Sequence, residues 1–315
     1  MNPRLGVISA FACLGILGVL PVLANARPAG FDGLTFTIWL TIWQILSALP
    51  LYLSERARGQ RGLFEAAGAG RSRSWTIFVA VSTGMMFGLS TYMYVVAAGK
   101  AGPVSMAIVL QAYPLMTMLA EAIFLDKRKT LPELGFTALM IAALVYLTTN
   151  GTFRIADISW WSVFALGIPA LWTVAHLLLK TQVLDRTALT LNQVTLSRLL
   201  VSGAFLAVLV FAIGDPRQVL AGLTDFGLQR AAIVMGVAYY IELIFWFQAI
   251  RNIDVSVASA IEVPAPAVTM LVAAVFAGAA IALHQVLAMV AIAIGMYGLL
   301  FAGRAARRRA AAASA

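Results

Sequence analysis

Residues 260–270, AIEVPAPAVTM, set a carboxylate and two prolines inside an apolar run that extends over 255–278. A run of that length reads as a helix crossing a bilayer. Proline has no amide hydrogen and clashes with the carbonyl four residues earlier. A carboxylate at the bilayer centre costs about 2.5 to 3.5 kcal/mol on insertion scales. Glu262 is therefore either part of a site or a protonated or paired structural acid. Pro264 is expected to free the carbonyl of Ala260, and Pro266 that of Glu262.

The same kind of segment recurs along the chain. Hydrophobic residues make up 62% of 315, charged residues only 11%, and the mean hydropathy is +0.92, far from soluble averages. Ten spans are expected, near 5–24, 34–53, 75–98, 103–125, 131–149, 159–179, 189–213, 229–250, 255–278 and 282–303. No soluble domain fits between them. The first span is read as a retained helix and not a removed signal peptide. The fold expected is an all-α integral membrane protein.

The net charge of +9 orients the chain and does not point to nucleic acid. With the amino terminus inside, 16 of the 22 Lys and Arg residues fall in one set of alternating loops and both tails, Arg56, Arg58, Lys127, Arg128, Lys129 and Arg307 among them. Five lie opposite: Arg27, Lys100, Arg154, Arg217 and Arg230; Arg198 falls within a span. This is the positive-inside pattern, with both termini cytoplasmic. The single Cys13 excludes an intramolecular disulfide and a cysteine metal cluster, and no metal or cofactor is expected.

Sliding the chain along itself by 151 residues superposes Val104, Ser105, Ala107, Ala122, Ile141, Ala142 and Tyr146 on Val255, Ser256, Ala258, Ala273, Ile292, Ala293 and Tyr297. Gln111 then falls on Glu262. Five spans per half is an odd number, so the second copy must enter the bilayer from the opposite side. The expected organisation is two inverted five-helix repeats, 1–152 and 153–303, followed by a basic tail, 304–315. Gly84 with Gly88, and Ala291 with Gly295, have the spacing of close helix packing, read as intramolecular before intermolecular.

At about 100° per residue, Ser259, Glu262, Pro266 and Thr269 form a narrow polar stripe that should face the bundle interior. Gln111, Pro114, Met118 and Glu121 form its counterpart on the fourth span, with Pro114 expected to free the carbonyl of Leu110 and Tyr113 beside the break. Tyr239, Glu242 and Trp246 share a face of the eighth span, and Pro169, Trp172 and His176 one of the sixth. Such stripes can line one aromatic, weakly acidic cavity. His176 and Arg198 are read as buried counter-ions to the acids, and Glu121 as reaching water. Trp39, Trp43, Trp75, Trp160 and Trp161 are read as interfacial anchors.

At these residues the chain resembles the ten-helix, EamA-type branch of the drug/metabolite transporter superfamily. The resemblance covers both halves and is strongest in QAYPLMTMLAEAIFLDKRKTLPELGFTALMIAALVYL and EVPAPAVTMLVAAVFAGAAIALHQVLAMVAIAIGMYGL. Leu171 with Trp172 resembles the opening of a family repeat, and Arg198 an arginine of its second helix. The chain departs from the family where Asp126–Lys127 and Gly278–Ala279 replace Gly-Glu, and where Leu14–Gly15 replace the tryptophan pair. AYPLMTML is similar to the aromatic amino-acid exporters.

The resemblance implies a secondary transporter exporting small organic metabolites, aromatic amino acids included, across a bacterial inner membrane by alternating access. Gln111, Tyr113, Trp172, His176, Tyr239, Glu242 and Glu262 are the expected substrate contacts, and Pro114, Pro264 and Pro266 the helix breaks. The expected partners are a small-molecule substrate and the lipid bilayer, with no nucleic acid; the sequence leaves the oligomeric state open. A multidrug transporter, a channel and a scramblase remain alternatives on the same architecture. An ATP-driven pump is disfavoured because no GxxxxGK[ST] occurs, and an enzyme because His176 and His284 lie apart with no HExxH or nucleophile elbow.

Overall fold

The computed structural model describes residues 2–60, 71–124, 130–185 and 189–313, with backbone alone for 71–72, 121–124, 256, 304 and 306–313. The expectations for the side chain of Glu121, for Asp126 to Lys129 and for Arg307 lie outside the described residues. Every element among the described residues is a helix. In chain order these are α1 (Pro3–Asn25), α2 (Gly33–Ala57), α3 (Arg71–Ala101), α4 (Pro103–Leu110), α5 (Ala112–Phe124), α6 (Leu131–Thr148), α7 (Trp160–Ala165) and α8 (Gly167–Leu179). They continue as α9 (Leu191–Ile213), α10 (Pro216–Gly222), α11 (Phe226–Asn252), α12 (Val255–Ile261), α13 (Ala265–Ala277) and α14 (Leu283–Ala313), with a short 3-10 turn at Ile155–Asp157 and a π-helical turn at Lys180–Leu184.

Nine stretches of helix among the described residues are long and apolar enough to cross a membrane. Their outward faces carry the side chains that a water-facing surface would not. On α9, Leu200, Val208 and Phe211 are exposed while Arg198, Ser202 and Leu206 are buried. That reversal suits a lipid solvent outside and a polar site within. α14 carries on through residues 304–313 to Ala313.

The expected span over 255–278 is two helices separated by a turn at Glu262–Pro264. Its partner over 103–125 breaks at Gln111, which caps α4 as Glu262 caps α12. One expectation about the break fails. The Glu262 carbonyl is not freed by Pro266, because the Ala265 amide reaches back to it at 2.9 Å. A three-residue turn closes there, so the chain bends without leaving that group bare.

Helix pairing places the two breaks together. α12 packs on α5 and α13 packs on α4, so the broken helices lie side by side and antiparallel. Around them α1 packs on α11 and α13, while α8 packs on α3 and α5. The α6–α14 pair lies beside the broken helices. Close approach is built from small residues. Gly84 and Gly88 face Val201, Ser202 and Phe205 of α9, and Gly295 faces Met140 and the Phe136 carbonyl of α6, so both motifs serve packing within the chain.

Candidate functional site

The centre of the bundle holds a small cavity to which three of the four expected stripes contribute, together with Tyr113 beside the first break. Tyr113, Trp172, His176, Tyr239, Glu242 and Glu262 all line it. Gln111 does not. Its amide is turned back along its own helix, with Nε2 donating to the Ala107 carbonyl at 3.5 Å, although the residue is buried. Pro114 and Pro266 are buried beside the breaks, whereas Pro264 is exposed. Ser259 and Thr269, the rest of the acidic stripe, are fully buried, so that stripe does face inward.

Each wall is positioned by ordinary helical spacing. On α8, Trp172 and His176 are four residues apart and so stack one above the other on one face. Trp172 Nε1 donates to Ser90 Oγ on α3 at 3.0 Å, which fixes its ring. Nδ1 of His176 lies 2.9 Å from the Tyr113 hydroxyl on α5. On α11, Glu242 and Trp246 are again four apart. The His176 ring has Phe87 at 4.8 Å, Trp246 at 5.2 Å and Tyr113 at 5.7 Å between centroids. The cavity is thus an aromatic box around an imidazole.

Arg198 and Cys13 are the two lining or supporting groups with a chemical role that spacing alone did not assign. Arg198 was expected to pair with an acid. It interacts electrostatically with Glu242, and its Cζ lies 3.8 Å from the Phe87 ring centroid, a cation–π geometry. Its Nε and Nη1 have no hydrogen-bond partner, and neither do Glu242 Oε2 and Glu262 Oε1. Cys13, on α1, donates from Sγ to Glu242 Oε1 at 3.1 Å. Nothing in the apolar sequence around Cys13 marks it, since a lone cysteine in a hydrophobic helix reads as a small core residue.

Unsatisfied groups are concentrated here. Glu242 Oε2, Glu262 Oε1, His176 Nε2, Trp246 Nε1 and two Arg198 nitrogens, all buried, lack partners, and all belong to residues that line the cavity. Buried polar groups are nearly always bonded. A cluster of exceptions around one space calls for water, an ion or a polar ligand there. In this conformation the cavity measures about 20 Å³, room for roughly one water.

The fold is similar to that of a solved structure, described only as the crystal structure of a protein, with a TM-score of 0.64 and 16% identity over 94% of this chain and 98% of the other. In all, 28 chains of solved structures match. At such identity the likeness speaks for the fold alone. No family model and no curated protein matches the sequence.

Proposed function

We propose that the chain is a secondary transporter that exports small organic metabolites, aromatic amino acids among them, by alternating access through the central cavity. On this reading it is a ten-span protein of the drug/metabolite transporter superfamily, built of two inverted five-helix repeats in a bacterial inner membrane, with both termini cytoplasmic. The observation that carries the reading is the concentration of unpartnered polar atoms inside an aromatic box, at the meeting point of two broken helices.

The paired contacts favour the repeat. α1 against α11 corresponds to α8 against α3, and α1 against α13 to α8 against α5. That is the exchange a pseudo-two-fold axis between halves would produce. Glu262 and Gln111, equivalent at an offset of 151, both sit at the breaks.

The chemistry of the walls suits a substrate with both charges and a ring. Arg198 offers free guanidinium donors to a carboxylate. Glu242 and Glu262 offer free oxygens to an ammonium group, and the indoles and phenols offer stacking faces. Room for about one water is too little for such a molecule, so loading requires the helices to part. The breaks at Gln111 and Glu262–Pro264 supply hinge points for that movement.

Counterflow in proteoliposomes tests the proposal. Vesicles loaded with unlabelled phenylalanine or tryptophan should accumulate the labelled amino acid transiently and saturably. Flux that neither saturates nor exchanges would indicate a channel instead. Absence of exchange across amino acids, nucleosides and organic cations would refute it.

A further inference from the structure

Cys13 on α1, Glu242 on α11 and Glu262 at the break before α13 each present one donor atom, and the three atoms lie within 4.8 Å of one another. All three side chains are buried, with exposures of 0%, 6% and 6%. We propose that they form a binding site for a soft or borderline divalent cation of the zinc and cadmium class, in the wall of the cavity. The site shares Glu242 and Glu262 with the proposed substrate contacts, but cation binding is read without transport and so stands or falls separately.

The first support is the acid pair itself. Two carboxylates side by side at membrane depth need compensation, and the geometry supplies little of it. Glu242 Oε2 and Glu262 Oε1 have no hydrogen-bond partner and border the cavity. Arg198 interacts electrostatically with Glu242, but its guanidinium lies over Phe87 and two of its nitrogens have no hydrogen-bond partner.

The second support is the kind of donor. Calcium and magnesium take six or more oxygens, which three side chains including a sulfur do not offer. Carboxylate oxygens with a thiolate match zinc, which binds sulfur at about 2.3 Å and oxygen at about 2.0 to 2.2 Å. Donors around such an ion lie roughly 3.3 to 3.7 Å apart. Cys13 Sγ and Glu242 Oε1 lie 3.1 Å apart, and all three donors lie within 4.8 Å of one another, close to that spacing. Three protein ligands leave a fourth position toward the cavity.

The third is charge. On ligation the thiol gives its proton to solvent, and the thiolate and two carboxylates then balance a divalent ion together with Arg198. A proton shared by the carboxylates would also reduce the charge, with the Cys13 thiol kept as a hydrogen-bond donor to Glu242, and the test below separates the two.

The test uses the full chain in detergent with cadmium as probe, read by the ultraviolet charge-transfer band of a cadmium–sulfur bond. The chain has one cysteine, so any such band reports on Cys13. One saturable equivalent is expected, displaced by zinc, with affinity at least about tenfold weaker in both Glu242→Gln and Glu262→Gln. Unchanged affinity in both variants would mean a lone thiol and overturn the site. A second readout needs no carboxylate variant: cadmium should raise the unfolding temperature of the unaltered chain, while magnesium should not, and Cys13→Ser should abolish the shift. No band and no shift would leave the acids to protons and refute the proposal.

Discussion

The Tyr113 hydroxyl lies 2.9 Å from Nδ1 of His176, so the second half of the first broken helix is tied directly to α8. Interhelical hydrogen bonds in membranes contribute about 0.6 kcal/mol on average and up to about 1.7. Tyr113 makes other interactions too, so a single substitution does not isolate this one. A double-mutant cycle of Tyr113→Phe and His176→Phe, read by thermal unfolding in detergent, should return a coupling in that range. Strict additivity would show that the bond holds nothing.

Gly18 allows α1 to press on α13. A Cβ placed there would stand 2.5 Å from Val268 Cβ and 3.0 Å from the Ala265 carbonyl, and Thr269 Oγ1 donates to the Gly18 carbonyl at 2.6 Å. Gly18→Ala should therefore destabilise by about 1 to 3 kcal/mol, the usual cost of overpacking. Val268→Ala on that background removes Cγ1, at 2.7 Å, and should recover part and not all, because the Val268 Cβ and the Ala265 carbonyl remain. A neutral Gly18→Ala would place the two helices further apart than this.

How far these features were legible in the sequence varies with their physics. Apolar length and the prolines mark the helices and the broken one at Glu262, because both act locally on the backbone. Spacing also brought Trp172 with His176, and Glu242 with Trp246, onto their faces. What spacing cannot give is which faces meet. Cys13 joins Glu242 across 229 residues of chain, and only packing reveals that. Gln111 shows the opposite failure, since a residue at the right position of a stripe satisfied its amide on Ala107 and turned away. Arg198 interacts electrostatically with Glu242, as a counter-ion would, but also makes a contact that spacing did not give. A guanidinium can settle on an aromatic face, here Phe87, and periodicity does not distinguish that from an ion pair.

The inverted repeat makes a topological demand. If each half holds five spans, as proposed, residues 58 and 154 must lie on opposite sides of the membrane, and both are exposed. Cys13 is fully buried, so the native chain gives a quiet background for labelling. Arg58→Cys should react with an impermeant maleimide only from the cytoplasmic side, and Arg154→Cys only from the other. Reaction of both from one side would be incompatible with the repeat.

The two indoles of the box should separate stability from function. Trp172 Nε1 is bonded to Ser90, whereas Trp246 Nε1 has no partner although it is buried. Trp172→Phe loses a hydrogen bond between helices and Trp246→Phe loses none, so the first should lower the unfolding temperature more, by the equivalent of about 0.6 to 1.7 kcal/mol. For transport the order should reverse. A free indole N–H beside the cavity has a donor to give to a polar substrate, and losing a neutral bond of that kind costs about 0.5 to 1.5 kcal/mol. Half-saturation for counterflow of an aromatic amino acid should then rise about two- to twelvefold in Trp246→Phe, with little change in Trp172→Phe, which keeps a stacking ring in place. Equal effects of the two substitutions on half-saturation would mean that the unpartnered Trp246 nitrogen faces no substrate.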